Sequence, residues 1–307
     1  MIDLKSKKIG KVNSHFLDSG AFTLWATAAK YHKENNCGRW DYYDTPEFWE
    51  YMDNYARFIK KYKIAIDLYA NIDAIGNPEI TWRNQKHLEE KHGLTPVPVV
   101  HYGSDIKWLK KYVNAGYKII GFGGLVGSSM KQSCRDWIDE CFDYVCDTPD
   151  RTPSVKIHGF GVTSFRLLWR YPWWSVDSAA WDKIASFGGI CVPHKRKGEF
   201  VFNISPYIMK VSMESPGRKT KNHILTLPEK EKTIIQEWLD YIDIPMGSLD
   251  EKGEIKEKGI VTYHVYRRIS NLYFYDKMVK ALPKYPWSFK LRKNSSLSTL
   301  LPYAMLR

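Results

Sequence analysis

Trp173-Trp174-Ser175-Val176-Asp177-Ser178 reads as a short buried strand that ends in a carboxylate, followed by a turn and the start of a helix. Just upstream, His158-Gly159-Phe160-Gly161-Val162-Thr163-Ser164 is a second strand end opening into a helix. Parallel α/β barrels place their chemistry at the carboxyl ends of strands. These stretches therefore set the reading of the whole chain. Asp177 is the leading candidate for a nucleophile, and the remaining segments are read as the pocket around it.

Working outward, the same strand-then-helix unit recurs. Phe16-Leu17 leads into Asp18-Ser19-Gly20, and residues 63–69 lead into Asn71-Ile72-Asp73. Residues 96–101 end in His101, residues 117–122 run into Gly123-Gly124, and residues 154–158 end in His158. Residues 189–192 read as a seventh strand. Thr45-Pro46 and Asn77-Pro78 suit the N-cap and first position of helices. Phe48, Met52, Tyr55 and Ile59 recur at helical spacing after the first of these. Residues 26–44 lack clear periodicity and read as a long loop over the strand ends.

Short apolar strands alternating with helices imply βαβ units and a parallel sheet. The expected fold is therefore α/β, a (β/α)8 TIM-type barrel with appended C-terminal helices. It forms one domain over residues 1–307, with a basic, aromatic helical extension at about 225–307. The absence of Gly-x-Gly-x-x-Gly after the first strand argues against a dinucleotide fold.

Lys and Arg number 46 against 34 Asp and Glu, a net charge of +12 that favours a polyanionic partner. The basic groups at Lys195, Arg196, Lys197, Arg218 and Lys219 are the candidate nucleic-acid contacts. Five cysteines at irregular spacing, with no Cys-x-x-Cys pair, suggest free thiols in a reducing compartment. No apolar run reaches the length of a membrane span and no secretory signal is legible. A cytoplasmic protein is expected, in the host cytoplasm if the chain is phage-encoded.

Three motifs carry a family resemblance. Asp18-Ser19-Gly20-Ala21-Phe22 resembles the D-S-G-G-F-Q motif of tRNA-guanine transglycosylases. Gly123-Gly124-Leu125-Val126-Gly127 resembles that family's G-G-L-A-V-G loop. Residues 159–168, leading to Val176-Asp177, resemble its G-V-G-T-P-x-x-L-L stretch and nucleophilic Asp. The motifs stand in the family's order and cover roughly residues 16–190.

The resemblance implies base exchange through a covalent Asp–glycosyl intermediate. Asp177 would attack C1′ of the target nucleoside and expel guanine. Asp18 would bind the base and move its proton. Asp73, with Asp67 as rival, would hold the purine edge, and His101 stands where the family has a Gln. Gly123 and Gly124 would allow close backbone approach, with His158 beside them. The family's structural zinc uses Cys-x-Cys-x-x-Cys and a distant His. This chain offers only Cys191 and His194 there, so neither metal nor other cofactor is expected.

The missing zinc ligands and the basic final third resemble the DNA-modifying branch, typically phage-encoded, which replaces guanine in DNA with a 7-deazaguanine such as 7-cyano-7-deazaguanine. The alternatives are tRNA as substrate, a metal-dependent TIM-barrel hydrolase using His101, His158 and Asp177, and a catalytically inactive nucleic-acid-binding barrel.

Overall fold

The computed structural model describes residues 15–128, 131–213 and 222–291, together with β1 (Ile2–Asp3) and β2 (Lys8–Ile9), a small antiparallel pair. Six βα units follow. They are β3 (Phe16–Leu17) with α1 (Ala21–Asn35), a 3₁₀ turn (Asp41–Asp44) and α2 (Pro46–Lys61); and β4 (Leu68–Tyr69) with α3 (Pro78–Glu90). Next come β5 (Val99–His101) with α4 (Lys107–Asn114), and β6 (Ile119–Gly123) with α5 (Gln132–Val145). The last are β7 (Lys156–Gly159) with α6 (Phe165–Arg170), and β8 (Ser175–Val176) with α7 (Ala180–Ser186).

Every pairing within this series is parallel. β3 pairs with β4, and β5, β6, β7 and β8 pair in chain order. A parallel bridge from Ala70 to Val97 joins the two ladders. Residues of β5 are buried throughout, as a parallel strand covered on both faces requires. The strands curve enough that Phe16 on β3 meets His158 on β7, with ring centroids 4.6 Å apart.

The helix starts follow from their caps. Thr45 Oγ1 accepts the Phe48 N–H at 3.2 Å, and Asn77 Oδ1 accepts the Ile80 N–H at 3.0 Å. In each case proline stands next, where a missing N–H costs nothing. α2 buries Phe48, Met52, Tyr55, Ala56 and Ile59 on one stripe. Truncating Phe48, which is fully buried, to Ala would cost about 3–5 kcal/mol.

Three expectations fail here. Of residues 63–69 only Leu68 and Tyr69 form a strand: residues 62–65 make a turn that leaves Ile64 fully exposed. Residues 26–44 are not a loop: most of them form α1, whose Leu24 and Ala28 pack with Tyr42, Tyr43 and Phe48 in one apolar cluster. Nor is Gly189–Val192 a seventh parallel strand. As β9 it pairs antiparallel with β12 (Tyr207–Lys210). The hairpin of β10 (His194–Arg196) and β11 (Glu199–Val201) lies between them. Lys197 and Gly198, at φ 48° and 86°, form its two-residue turn. Asn271 explains why β9 does not join the parallel series. Its Oδ1 accepts the Cys191 N–H at 2.7 Å and its Nδ2 reaches Gly189 O at 3.4 Å, so a side chain fills backbone positions a strand would use. Among the described residues no ladder links β8 to β9 or β9 to β3. The fold is mixed α/β with six parallel strands.

The last part holds α8 (Glu229–Tyr241), the β13 (Ser248–Leu249) and β14 (Ile255–Glu257) hairpin, and α9 (His264–Ala281). The α9 helix is more than an appendage. Phe274 and Met278 are buried in the same apolar cluster as Phe122 of β6 and Ile157 of β7. Among the described residues no helix is long and apolar enough to cross a membrane.

Candidate active site

The carboxyl ends of the parallel strands gather the polar residues the sequence singled out. Asp18 follows β3, Asp73 follows β4, His101 ends β5, Gly123 ends β6, His158 lies in β7 and Asp177 follows β8. Asp177 is tied to the neighbouring unit twice. Its carboxylate accepts the Gly161 N–H, and its own N–H donates to Gly159 O at 3.2 Å. Gly161 takes φ 67°, a left-handed conformation in which a side chain would be strained.

Asp18 and Asp177 are both open to solvent yet recessed. Desolvation lifts the Asp18 carboxyl above its ordinary value, against the hydrogen bond from the Gly20 N–H and with added repulsion from Asp73 and Asp177. Desolvation likewise lifts Asp177, against the hydrogen bond from Gly161. Two carboxyls that hold protons more tightly than free aspartate suit acid–base and nucleophilic work.

Near Asp18, whose carboxyl feels the Asp73 charge, lies a buried pair. Asp73 is 6% exposed and His101 3%, and Asp73 Oδ2 stands 2.5 Å from His101 Nε2. Gly123 makes room for this pair, since a Cβ there would come within 2.8 Å of His101 Cδ2. Tyr43 places a buried hydroxyl without a hydrogen-bond partner in this region, and burial together with the Asp73 charge keeps it protonated.

His158 is set differently. Its Nδ1 lies 2.8 Å from Ser175 Oγ, its ring sits against Phe16 and Phe160, and its buried Nε2 has no partner. Burial pushes its pKa down to about 4, so the imidazole is neutral at physiological pH.

Other sequence candidates lie elsewhere. Asp67 stands at the amino end of β4, where Oδ2 accepts the His15 N–H at 2.7 Å, away from Asp73 at the carboxyl end. Of the basic triplet, Lys195 is engaged with Glu237 at 2.9 Å, while Arg196 and Lys197 are exposed at the hairpin turn. Arg218 and Lys219 lie outside the described residues. The aromatic residues that follow α1 offer little surface for stacking on nucleic acid: Tyr42 and Tyr43 pack into the core, and Trp40 is half-buried. An aromatic ledge forms instead from Phe22, 72% exposed, stacked on Trp25 with Arg39 over the Trp25 ring at 5.2 Å.

Sequence reasoning missed Ser175 and Tyr51. Ser175 stands two residues before Asp177, on the same side of an extended chain, which was the available signal. Tyr51, whose hydroxyl donates to Ser19 O at 2.7 Å, lies on α2 with no local cue. Cys191 and His194 do not form a ligand set: Cys191 is buried on β9, and His194 packs on Tyr207 and bonds Ser205 O. Among the described residues, the His/Cys/Asp/Glu group able to hold an ion is Asp53, His87 and His92.

No protein-family model, curated protein or solved structure matches the chain.

Proposed function

We propose that this protein is a base-exchange transglycosylase that replaces guanine in DNA with a 7-deazaguanine, such as 7-cyano-7-deazaguanine, through an Asp177–glycosyl intermediate. The observation that carries the reading is the pair of open, desolvated carboxyls, Asp18 and Asp177, with the buried Asp73–His101 pair near Asp18. The six parallel strands are read as part of a (β/α)8 TIM-type barrel, and the three motif resemblances run through the same strand ends.

In the proposed reaction the Asp177 carboxylate attacks C1′, forming an ester bond as the C1′–N9 bond breaks. The electron pair leaves with guanine, which takes a proton from Asp18. The incoming base gives its N9 proton back to Asp18 and attacks C1′, which releases Asp177. A close carboxylate stabilises the oxocarbenium character that builds as the bond breaks. The Asp73–His101 pair offers its polar edge to the purine, and Gly123 and Gly124 admit the base close to the backbone. A paired guanine must be extruded first, at about a few kcal/mol. The Phe22–Trp25 ledge beside Asp18 is a surface for stacking the strand. Such work places the protein in the cytoplasm, that of a host if phage-encoded.

The hydrolase alternative is weaker, because among the described residues His101, His158 and Asp177 do not draw together as a ligand group. The test is incorporation of labelled guanine into duplex DNA and, in parallel, into tRNA. Asp177→Asn should keep the fold and lower exchange at least about 10³-fold. Exchange into tRNA alone moves the substrate to RNA. Exchange that survives Asp177→Asn removes Asp177 as nucleophile.

A further inference from the structure

A separate polar group lies between α2 and α3. Asp53 stands midway along α2, His87 lies in the last turn of α3, and His92 follows the α3 C-cap, Lys91. One ligand-type atom from each lies within 4.8 Å of the other two. The backbone explains the convergence. Gly93, at φ 65°, turns the chain at the helix end, and the Leu94 N–H bonds Leu88 O, which folds His92 back beside His87. The rings are also held from the side. Trp49 packs on His87 with centroids 4.6 Å apart, and the two imidazoles lie 5.4 Å apart.

What points to a ligand is the state of the nitrogens. Nε2 of His87 and Nε2 of His92 are both buried from water and have no hydrogen-bond partner. His92 Nε2 lies 3.0 Å from Asp53 Oδ1, within ion-pair reach, whereas His87 Nε2 has no such neighbour. Buried polar atoms are nearly always satisfied, so an orphaned imidazole nitrogen on His87, beside His92 and one carboxylate, calls for a shared partner.

We infer that Asp53, His87 and His92 bind a divalent transition ion of the zinc class, leaving one coordination position for water. Two imidazoles and a carboxylate are the donor set that zinc, cobalt and nickel prefer over magnesium or calcium. Ligand atoms around a tetrahedral zinc stand about 3.3 Å apart, a closure that side-chain rotation supplies from the present spacing. Lys91 opposes it: its Nζ sits 3.1 Å from Asp53 Oδ1, in the place a cation would take. That side chain is exposed and free to swing into solvent. The bound ion would clip α2 to α3, the segments that follow Asp18 and Asp73. The inference does not depend on the proposed reaction.

The test uses the full-length, tag-free chain, stripped with chelator and titrated with zinc chloride by calorimetry. About one ion per chain should bind, and zinc should raise the thermal midpoint. His87→Gln with His92→Gln should remove both effects, with circular dichroism in chelator confirming a folded variant. Asp53→Asn should weaken binding more than about tenfold. Lys91→Ala should tighten it, a change that non-specific surface binding would not produce. Cobalt should give ligand-field bands without thiolate charge transfer. No uptake, uptake unchanged in the double variant, or a cobalt–thiolate band that vanishes with Cys37→Ser would each overturn the site.

Discussion

The parallel-strand half and the C-terminal part treat their buried polar groups differently. Around α9 three buried polar side chains are fully engaged. Arg267 donates to Ala185 O at 3.1 Å and Ile260 O at 3.0 Å, Ser270 Oγ accepts from Trp238 Nε1 at 3.0 Å, and Asn271 bonds Cys191, Trp181 and Gly189. At the parallel-strand ends the accounts stay open. Ser19 Oγ, Tyr43 OH and His158 Nε2 are buried without partners, and Asp18 and Asp177 are held above their ordinary proton affinity. Satisfied polar networks fix one arrangement, whereas unsatisfied ones mark places where a ligand completes the set. The C-terminal part thus holds the shape, and the strand ends keep polar capacity in reserve.

Among the polar groups compared, the largest expected effect on stability falls on the satisfied side. Asn271→Ala leaves the Cys191 N–H buried and unpaired and opens a gap between α9, α7 and β9. Urea unfolding should show a loss of about 3 kcal/mol. A loss below about 1 kcal/mol would mean that β9 finds another partner and that the contrast between the halves is weaker than the hydrogen bonds suggest.

That asymmetry also governs what the sequence could reveal. Most of the parallel strands announce themselves locally, as a short apolar run ending in Asp, His or Gly; β4 does not, because the apolar run Ile64-Ala65-Ile66 lies in the turn before it. The caps Thr45-Pro46 and Asn77-Pro78 gave helix starts within a residue of those found. The partners of β9 are not local. Tyr207–Lys210 and Asn271 lie far along the chain, and an apolar run carries no mark of whether its neighbour runs parallel or antiparallel. The α1 helix was hidden because its inner face is made partly of alanines, which leave little hydrophobic contrast. At the site, Asp18, Asp73, His101 and Asp177 were legible because strand ends are. The Lys195–Glu237 ion pair was not legible, because Glu237 reaches Lys195 only through the fold.

A smaller effect should appear on acidification, through His158. Its folded pKa, about 4, lies below the ordinary 6.5 of the unfolded chain. The unfolded state therefore takes up the proton first, and stability is lost as pH falls from 6.5 toward 4. Relative to His158→Gln, the wild type should lose about 2 kcal/mol between pH 7 and pH 5. Parallel stability–pH curves for the two would show that the ring is accessible to water and that its free Nε2 is not a reserve for substrate.

The smallest effect has the opposite sign. Asp18 and Asp177 have folded pKa values raised above the free value of 3.8. Folding therefore favours their protonated forms. Whatever that contributes to stability is present below the unfolded value and lost as pH rises through the folded one. Burial thus works against the charged form of both carboxyls, and Asp18 additionally faces Asp73 and Asp177. Replacing Asp18 by Asn removes the charge while keeping an acceptor for the nearby Gly20 N–H. The thermal midpoint at pH 7 should rise by about 2 °C, a modest figure because the side chain remains open to water and its field is screened. The gain should shrink as pH falls through the raised folded value, where the wild-type carboxyl takes up its proton. Asp177→Asn should gain less, since the hydrogen bond from Gly161 favours the charged form and partly offsets the desolvation. If Asp18→Asn is no more stable than wild type at pH 7, the strand ends are not held at a cost to the fold, and the division between a shape-holding part and a chemically poised one loses its thermodynamic basis.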